Sequence, residues 1–379
     1  MPETTAPAAS AEKAFWRWLP STIGKPLRVL AWLSFLAEVI IIGTGGAVRL
    51  TGSGLGCSEW PLCTPESLVP TQVQGIHGII EFGNRTMTGV VGILAIAVLL
   101  LTLHAVAGSR AVKSALWFAL WSVLTGAIFF GIAVVVGWIY LAATGQPGAP
   151  GFPFFALGLL VGVIGGAFRS WHVAPERRDL SVLAWIVLIG VVAQAFVGGI
   201  TVLTGLNPWI VGFHYASSLA LVCVTAAFLV RMRETGAPRQ RVVPVWFAML
   251  SHITGLALAA TIFFGVLTTG SGPHSGDINV IRDGFDASFL AHVHSWPGYI
   301  LGGLVLIMTI AAWMLHLEPR RWLVVLVVAI VVQIGVGVWQ AREGLPALLV
   351  GIHMVLAALS AAAYTVVVLR LKRPVDDAD

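Results

Sequence analysis

Apolar residues along this chain come in long unbroken blocks, and the polar residues collect between the blocks. A run of about 20 apolar residues can cross a bilayer as a helix. The pattern predicts about ten such spans, at 29–49, 78–104, 114–141, 154–168, 181–203, 208–230, 245–268, 292–316, 322–340 and 347–369. The expected fold class is therefore all-α, a polytopic membrane helix bundle. The span at 154–168 is the shortest and needs its Gly/Pro-rich flanks to complete a crossing.

Composition agrees with the pattern: 58% of the residues are hydrophobic and only 10% charged. The first block starts after residue 28 and is too long and too late for a cleaved secretory signal. Glu3 and Glu12, with few arginines before the first block, disfavour a mitochondrial transit peptide, which leaves a bacterial plasma membrane as the expected home. A net charge of +5 would suggest nucleic acid in a soluble protein, but here the basic residues sit in loops. With the N-terminus inside, 18 of the 22 Lys and Arg, from Lys13 and Arg17 to Lys372 and Arg373, fall on one face. That bias makes both termini cytoplasmic and assigns the positive charge to topology and membrane lipid, with no nucleic-acid partner.

The chain also repeats itself. Gln194, Gly198, Gly205, Leu206, Val211, Gly212 and His214 recur as Gln333, Gly337, Gly344, Leu345, Val350, Gly351 and His353, all at an offset of 139. Thr51-Gly52-Ser53-Gly54 recurs as Thr269-Gly270-Ser271-Gly272. Two tandem four-helix copies explain this, and an even number of spans per copy gives both the same orientation. The expected organisation is a cytoplasmic tail at 1–28, a first copy at 29–232, a second at 243–370 and a second tail at 371–379. From Thr51 to His214 is 79 residues longer than from Thr269 to His353, which reads as a helical hairpin inserted at about 110–175, with no ionisable residue in its spans.

Ionisable side chains inside a bilayer are costly and mark function. His214 and His353 lie about two turns inside equivalent helices, near the outer surface. His77 stands at the outer end of the second span, and His292 and His294 at the outer end of the corresponding span in the second copy. Each copy thus brings histidines from two helices to one depth, as two helices clamping a haem would require. The alternative for each is a hydrogen-bonded interior residue. His292 and His294 point about 200° apart on a helix, so one alone can face His353, and the alignment of the copies selects His294.

His77, Glu81 and Arg85 recur at i, i+4 and i+8 on roughly one face. They read either as an acid and a base beside a haem site or as an ion pair that fixes packing. Arg49, at the outer end of the first span, suits a haem propionate or a snorkelling interfacial position equally. Cys57 and Cys63, in the first outer loop, read as a local disulfide on the oxidising side, with two free thiols as the alternative.

Taken together, G-G-A-V-R-L-T-G-S-G-L-G-C…W-P-L-C, I-I-E-F-G-N-R, L-N-P-W-I-V-G-F-H and the later H-V-H and V-G-I-H resemble the haem A synthase family. The resemblance covers the chain apart from its N-terminal tail and the insertion. It implies two four-helix halves that oxidise the C8 methyl of haem O to a formyl group, giving haem A for terminal oxidases, by two hydroxylations and loss of water. It implies a haem b cofactor between His294 and His353, and a substrate half in which Glu81 and His214 act on haem O. Glu81 would move protons or steady a cationic intermediate, while the haem b passes electrons. Implied partners are haem O itself, haem O synthase, oxidase assembly factors, an electron acceptor and further copies of the chain in a homo-oligomer.

The family commonly carries a histidine where this chain has Asn84, directly before Arg85. An amide is a poor haem ligand, which leaves His214 as the firm substrate ligand, and His77, about 10 Å along the helix from Asn84, either as a second ligand or as a residue near the haem edge or propionates. Two other classes compete. A dihaem b-type electron carrier would use the same paired histidines, and a transporter with parallel repeats would place its sites near the bilayer centre rather than near the outer face.

Overall fold

The computed structural model describes residues 19–146, 151–173, 177–277, 280 and 284–375. Residues 1–18 of the N-terminal tail, with Lys13 and Arg17, residues 147–150 of the insertion and the last four residues lie outside the described part. Nine helices carry the described chain: α1 Lys25–Leu50, α2 Gly75–Thr144, α3 Phe152–Val173, α4 Arg178–Leu203, α5 Pro208–Arg231, α6 Val245–Ser271, α7 Ala287–Met314, α8 Arg320–Arg342 and α9 Ala347–Leu369. Two three-residue strands, β1 Arg239–Arg241 and β2 Lys372–Pro374, pair antiparallel, and they are the only strands among the described residues.

Eight of the helices are long and apolar enough to cross a membrane. One of these, α2, holds two expected spans. Gly108 breaks it with φ 72° and ψ −171°, a conformation open to glycine and outside the helical region, so 78–104 and 114–141 are separated by one residue rather than by a loop. The short expected span at 154–168 lies in α3, whose apolar part is Phe154–Arg169. The chain is thus an all-α, multi-pass membrane protein.

Two compact units make up the molecule: Met1–Ser34 with Gly92–Ala193, and Phe35–Val91 with Gln194–Asp379. Most of the expected insertion falls in the first. Every candidate site residue falls in the second. In that second unit α6 packs on α7, α7 on α8, α8 on α9, and α9 on α5. Lipid is as apolar as the side chains, so these contacts rest on close van der Waals fit and small residues. Gly212 faces Val266, Gly255 faces Tyr364, Gly43 faces Val355 and Gly351 faces Leu50, each closely enough that an added Cβ would touch the neighbour. The outward faces keep large apolar groups: Leu348 is 75% exposed and Leu256 72%.

Helix ends are set by local chemistry. Asn207 caps α5 by accepting from the Trp209 N–H at 3.0 Å, with Pro208 in the first turn, where its missing N–H costs nothing. The two turns that precede α5 and α9 are built alike. Gly205 and Leu206 have φ of 62° and 60°, and Gly344 and Leu345 have 74° and 65°. In each, the leucine N–H reaches back to a helix carbonyl, Leu206 to Thr201 at 2.7 Å and Leu345 to Gln340 at 2.8 Å. This closes the helix with a left-handed glycine and aims the next helix. The two T-G-S-G strings are housed differently. Thr51–Gly54 follows the end of α1, whereas Thr269 and Ser271 still belong to α6, their hydroxyls bonded back to Gly265 and Leu267.

Candidate haem-binding sites

A cavity of about 280 Å³ opens where the C-terminal end of α1, the Cys57–Cys63 loop, the first turns of α2, the last turns of α4 and the first turns of α5 meet. Its polar lining includes Arg49, Glu81, Arg85, Gln194, Thr201 and His214. Residues Ser275 and Gly276, which follow α6, complete the wall, and the Gly54 N–H donates to the Gly276 carbonyl at 2.9 Å. Gly198 leaves room for the imidazole of His214, since a Cβ there would lie 3.4 Å from Cε1. The His214 Nδ1 is buried without a hydrogen-bond partner.

Glu81 is 4% exposed and held from two sides. Its Oε2 accepts from the Cys57 N–H at 2.6 Å, and its Oε1 accepts from Arg85 at 2.5 Å. Arg85 in turn donates to the carbonyls of Cys57, Glu59 and Leu62 at 3.2, 2.9 and 2.8 Å. One guanidinium therefore organises the whole disulfide loop around the carboxylate. Cys57 and Cys63 are joined in a disulfide and are fully buried. The same loop lays Trp60 on α4: a Cβ at Gly199 would fall 2.3 Å from the indole. Replacing both cysteines by serine should lower stability by about 2 kcal/mol for so short a closed loop. A thermal melt of the detergent-solubilised protein checks this, and an unchanged midpoint would count against it.

Other residues singled out from the sequence sit elsewhere. His77 is exposed, its Nδ1 2.9 Å from the Ser53 hydroxyl, and Asn84 accepts from the Thr44 hydroxyl at 2.7 Å. Neither is among the described residues that line the cavity. Arg49 does line it; one of its terminal nitrogens donates to the Thr269 carbonyl, while its Nε is buried with no partner. Glu38, buried further along α1, receives the Thr225 hydroxyl at 2.7 Å and stands apart from the cavity.

A second gathering lies between α6, α7, α8 and α9. His294 and His353 face each other with ring centroids 6.2 Å apart and planes at 82°. The His294 Nδ1–H donates to the Thr261 carbonyl at 2.9 Å, which leaves its Nε2 lone pair free to ligate. Gly265 and Gly337 provide the space, since added Cβ atoms would lie 2.9 and 3.0 Å from the two imidazoles. His353 Nδ1 is buried without a partner, as in His214. His292 is exposed, with its Nδ1 3.1 Å from the Ser288 carbonyl. Among the described residues no three His, Cys, Asp or Glu side chains form a group that could hold a bare metal ion. Paired imidazoles beside glycine-lined space suit a haem, whose porphyrin supplies the other iron ligands.

Residues 28–143 match the family model of the cytochrome oxidase assembly protein family COX15-CtaA. That match covers about the first third of the chain, from the start of α1 to the end of α2. The matched stretch includes Arg49, Cys57, Cys63, His77, Glu81, Asn84 and Arg85, and ends before His214, His294 and His353. Curated relatives extend the likeness. A heme A synthase of Exiguobacterium sibiricum is 43% identical over 76 residues, 20% of this chain and 25% of that protein. A heme A synthase of Methylorubrum extorquens is 28% identical over 211 residues, 45% of this chain and 53% of that protein. A protoheme IX farnesyltransferase of Thermus thermophilus is 31% identical over 109 residues, 28% of this chain and 18% of that protein. The chain therefore spans between about a fifth and about a half of the length of these relatives.

The sequence reading had not assigned a role to Gln194 and Gln333, Trp60, Thr261 or the Ser275–Gly276 wall. The two glutamines carried a signal, because each stands in the repeat 20 residues before its histidine. Thr261 carried none, since it acts through its backbone carbonyl. Gly337→Val should crowd the His353 imidazole and reduce bound haem in the purified protein. Pyridine haemochrome quantitation tests this, and wild-type haem content would refute it.

Proposed function

We propose that this protein is a haem A synthase, which takes haem O and oxidises its C8 methyl to the formyl group of haem A. The observation that carries the reading is the gathering of His214, Arg49 and Glu81 around one cavity, in a chain whose residues 28–143 match this family and which is similar over part of its length to relatives named heme A synthase. His214 holds the substrate iron from one side. Arg49, whose Nε has no protein partner, suits a propionate. Glu81, fixed by Cys57 and Arg85, keeps a negative charge at the rim of the substrate, where it can steady developing positive charge or accept a proton. Its hold on the disulfide loop also shapes the cover over the substrate and limits water.

His294 and His353 would hold a haem b as resident cofactor, and that group would supply one-electron chemistry for the oxidation. The chain's own part is to fix the His294 imidazole through the Thr261 carbonyl and to keep glycine-lined space beside both rings. On this reading both termini would lie in the cytoplasm of a bacterium and the two histidine sites toward the opposite face of its plasma membrane, as the distribution of Lys and Arg supports. Haem O synthase would deliver the substrate, and oxidase assembly factors would receive the product.

The deciding experiment expresses the chain in a host that makes haem O but lacks its own haem A synthase, followed by extraction and chromatography of total haem. Haem A in excess of the empty-vector control is expected. Haem b with no haem A, from protein that is inserted and folded, would overturn the assignment in favour of a dihaem electron carrier.

A further inference from the structure

α1 carries an acid near its middle, Glu38, which is buried and lies apart from the cavity. Its partner is Thr225 on α5, whose Oγ1 lies 2.8 Å from Oε1 and 2.7 Å from Oε2. Among the described residues no cation pairs with it. A charged carboxyl inside a bilayer is costly, and an acid there marks function. A hydroxyl has one proton to give, so an ionised Glu38 would leave one of its oxygens facing a lone pair of Thr225. A neutral carboxyl removes both costs, because its carbonyl oxygen accepts the hydroxyl proton while its own O–H donates back to Oγ1. α1 and α5 are thereby joined by a hydrogen bond that runs both ways.

This bond sits on the two helix faces that reach the first cavity. Arg49 lies 11 residues beyond Glu38 on α1, and His214 lies 11 residues before Thr225 on α5. Eleven residues complete three turns to within about 20°, so each pair shares one face of its helix, about 16 Å apart along the axis. The faces that meet at Glu38 and Thr225 meet again where Arg49 and His214 line the cavity. The second half joins the equivalent helices by another device. The offset of 218 between the two T-G-S-G strings puts Leu256 in the place of Glu38, and the offset of 139 puts Tyr364 in that of Thr225. The Tyr364 hydroxyl donates to the Ser251 carbonyl at 2.6 Å, which ties α9 to α6.

We propose that Glu38 is a positioning residue for the first site, a neutral acid whose two-way bond to Thr225 sets how α1 and α5 lie together and so how Arg49 and His214 reach one substrate haem. The proposal rests on the reading of that site given above. Glu38 touches no reacting atom and acts through the two helices. Val39 and Ile42 of α1 pack with Leu219, Val222 and Ala226 of α5 in one apolar cluster beside it. Apolar contact alone holds membrane helices loosely in register, because lipid is as good a neighbour as leucine. A hydrogen bond with two fixed directions sets both their separation and their relative height. A shift there is carried along both helices to the residues three turns away.

The test titrates the purified full-length protein with haem O by absorbance, while electron paramagnetic resonance counts the low-spin haem of the second site. Glu38→Leu leaves Thr225 its bond to the Leu221 carbonyl at 3.1 Å, so no polar atom is orphaned. It should raise the Kd for haem O by about 3- to 15-fold, the span of hydrogen bonds between membrane helices, and leave the second-site haem in place. Glu38→Gln, whose amide both donates and accepts, should stay within about twofold of the unaltered protein. Adding Thr225→Val to Glu38→Leu should weaken binding no further, since the pair acts as one bond. That double variant also buries no unpaired polar atom and replaces the single one should Glu38→Leu fail to fold. The infrared difference between the unaltered protein and Glu38→Gln should contain the carbonyl stretch of a protonated carboxyl, and a carboxylate band in its place would overturn the proposal. So would a Gln variant as weak as the Leu variant, an unchanged Kd in Glu38→Leu, or equal loss of haem from both sites, which is the mark of general destabilisation. An unaltered protein that binds no haem O would overturn the reading of the first site itself, and this proposal with it.

Discussion

Replacing His294 or His353 with alanine should abolish the low-spin haem signal of the second site, while haem added to the first site through His214 persists. The two imidazoles come from α7 and α9 and face each other across 6.2 Å, so neither has a substitute nearby. The nearest other imidazole on α7, His292, is exposed beside the Ser288 carbonyl. Removing one imidazole would take away one of the two residues that would hold the haem, which should change its spin state even where the haem is retained. Electron paramagnetic resonance of each purified variant, with haem content measured in parallel, reads both effects. An unchanged low-spin spectrum in either variant would sink the pairing.

Glu81→Gln should lower haem A formation by about 100-fold or more while leaving the haem of the second site in place. The substitution keeps the shape of the side chain and removes its charge. It also leaves Arg85 without its carboxylate partner, so the loop from Cys57 to Cys63 must be shown to be intact, by non-reducing mass spectrometry of the same preparation. Glu81→Asp, which restores the charge on a shorter arm, should recover part of the activity. Normal product formation by Glu81→Gln would remove the residue from the chemistry and leave it the structural role its hydrogen bonds already describe.

Much of the fold could be read from the chain because bilayer physics allows few choices: long apolar runs must become helices that satisfy their own backbone. Gly108 shows the limit. A boundary between the spans 78–104 and 114–141 was legible there, but that one left-handed glycine would make the break was not. At the site, helical periodicity grouped His77 with Glu81 and Arg85, and the structure keeps only the latter two at the cavity. His77 belongs to the first turn of α2, where the backbone of Gly56 packs against it and Ser53 takes its ring nitrogen. Asn84, a quarter turn from Arg85, faces α1 and Thr44 instead. Arg85 was read either as a base beside a haem site or as one half of an ion pair, and its bonds to four loop carbonyls were invisible because backbone acceptors leave no mark in a sequence.

The wall contributed by Ser275 and Gly276 bears on how such a chain can be taken apart. Gly54, Leu206 and Gly276 meet so closely that a Cβ at Gly54 would lie 2.6 Å from the leucine and 3.0 Å from the Gly276 carbonyl. Arg49 meanwhile anchors to Thr269, at the end of α6. The first cavity is thus finished by residues supplied from the second half of the chain. Two halves that look like interchangeable cassettes are therefore not separable parts. A chimera that joins this first half to a foreign second half would lose the fit at Gly276 and leave the cavity open on one side, however well each half folded.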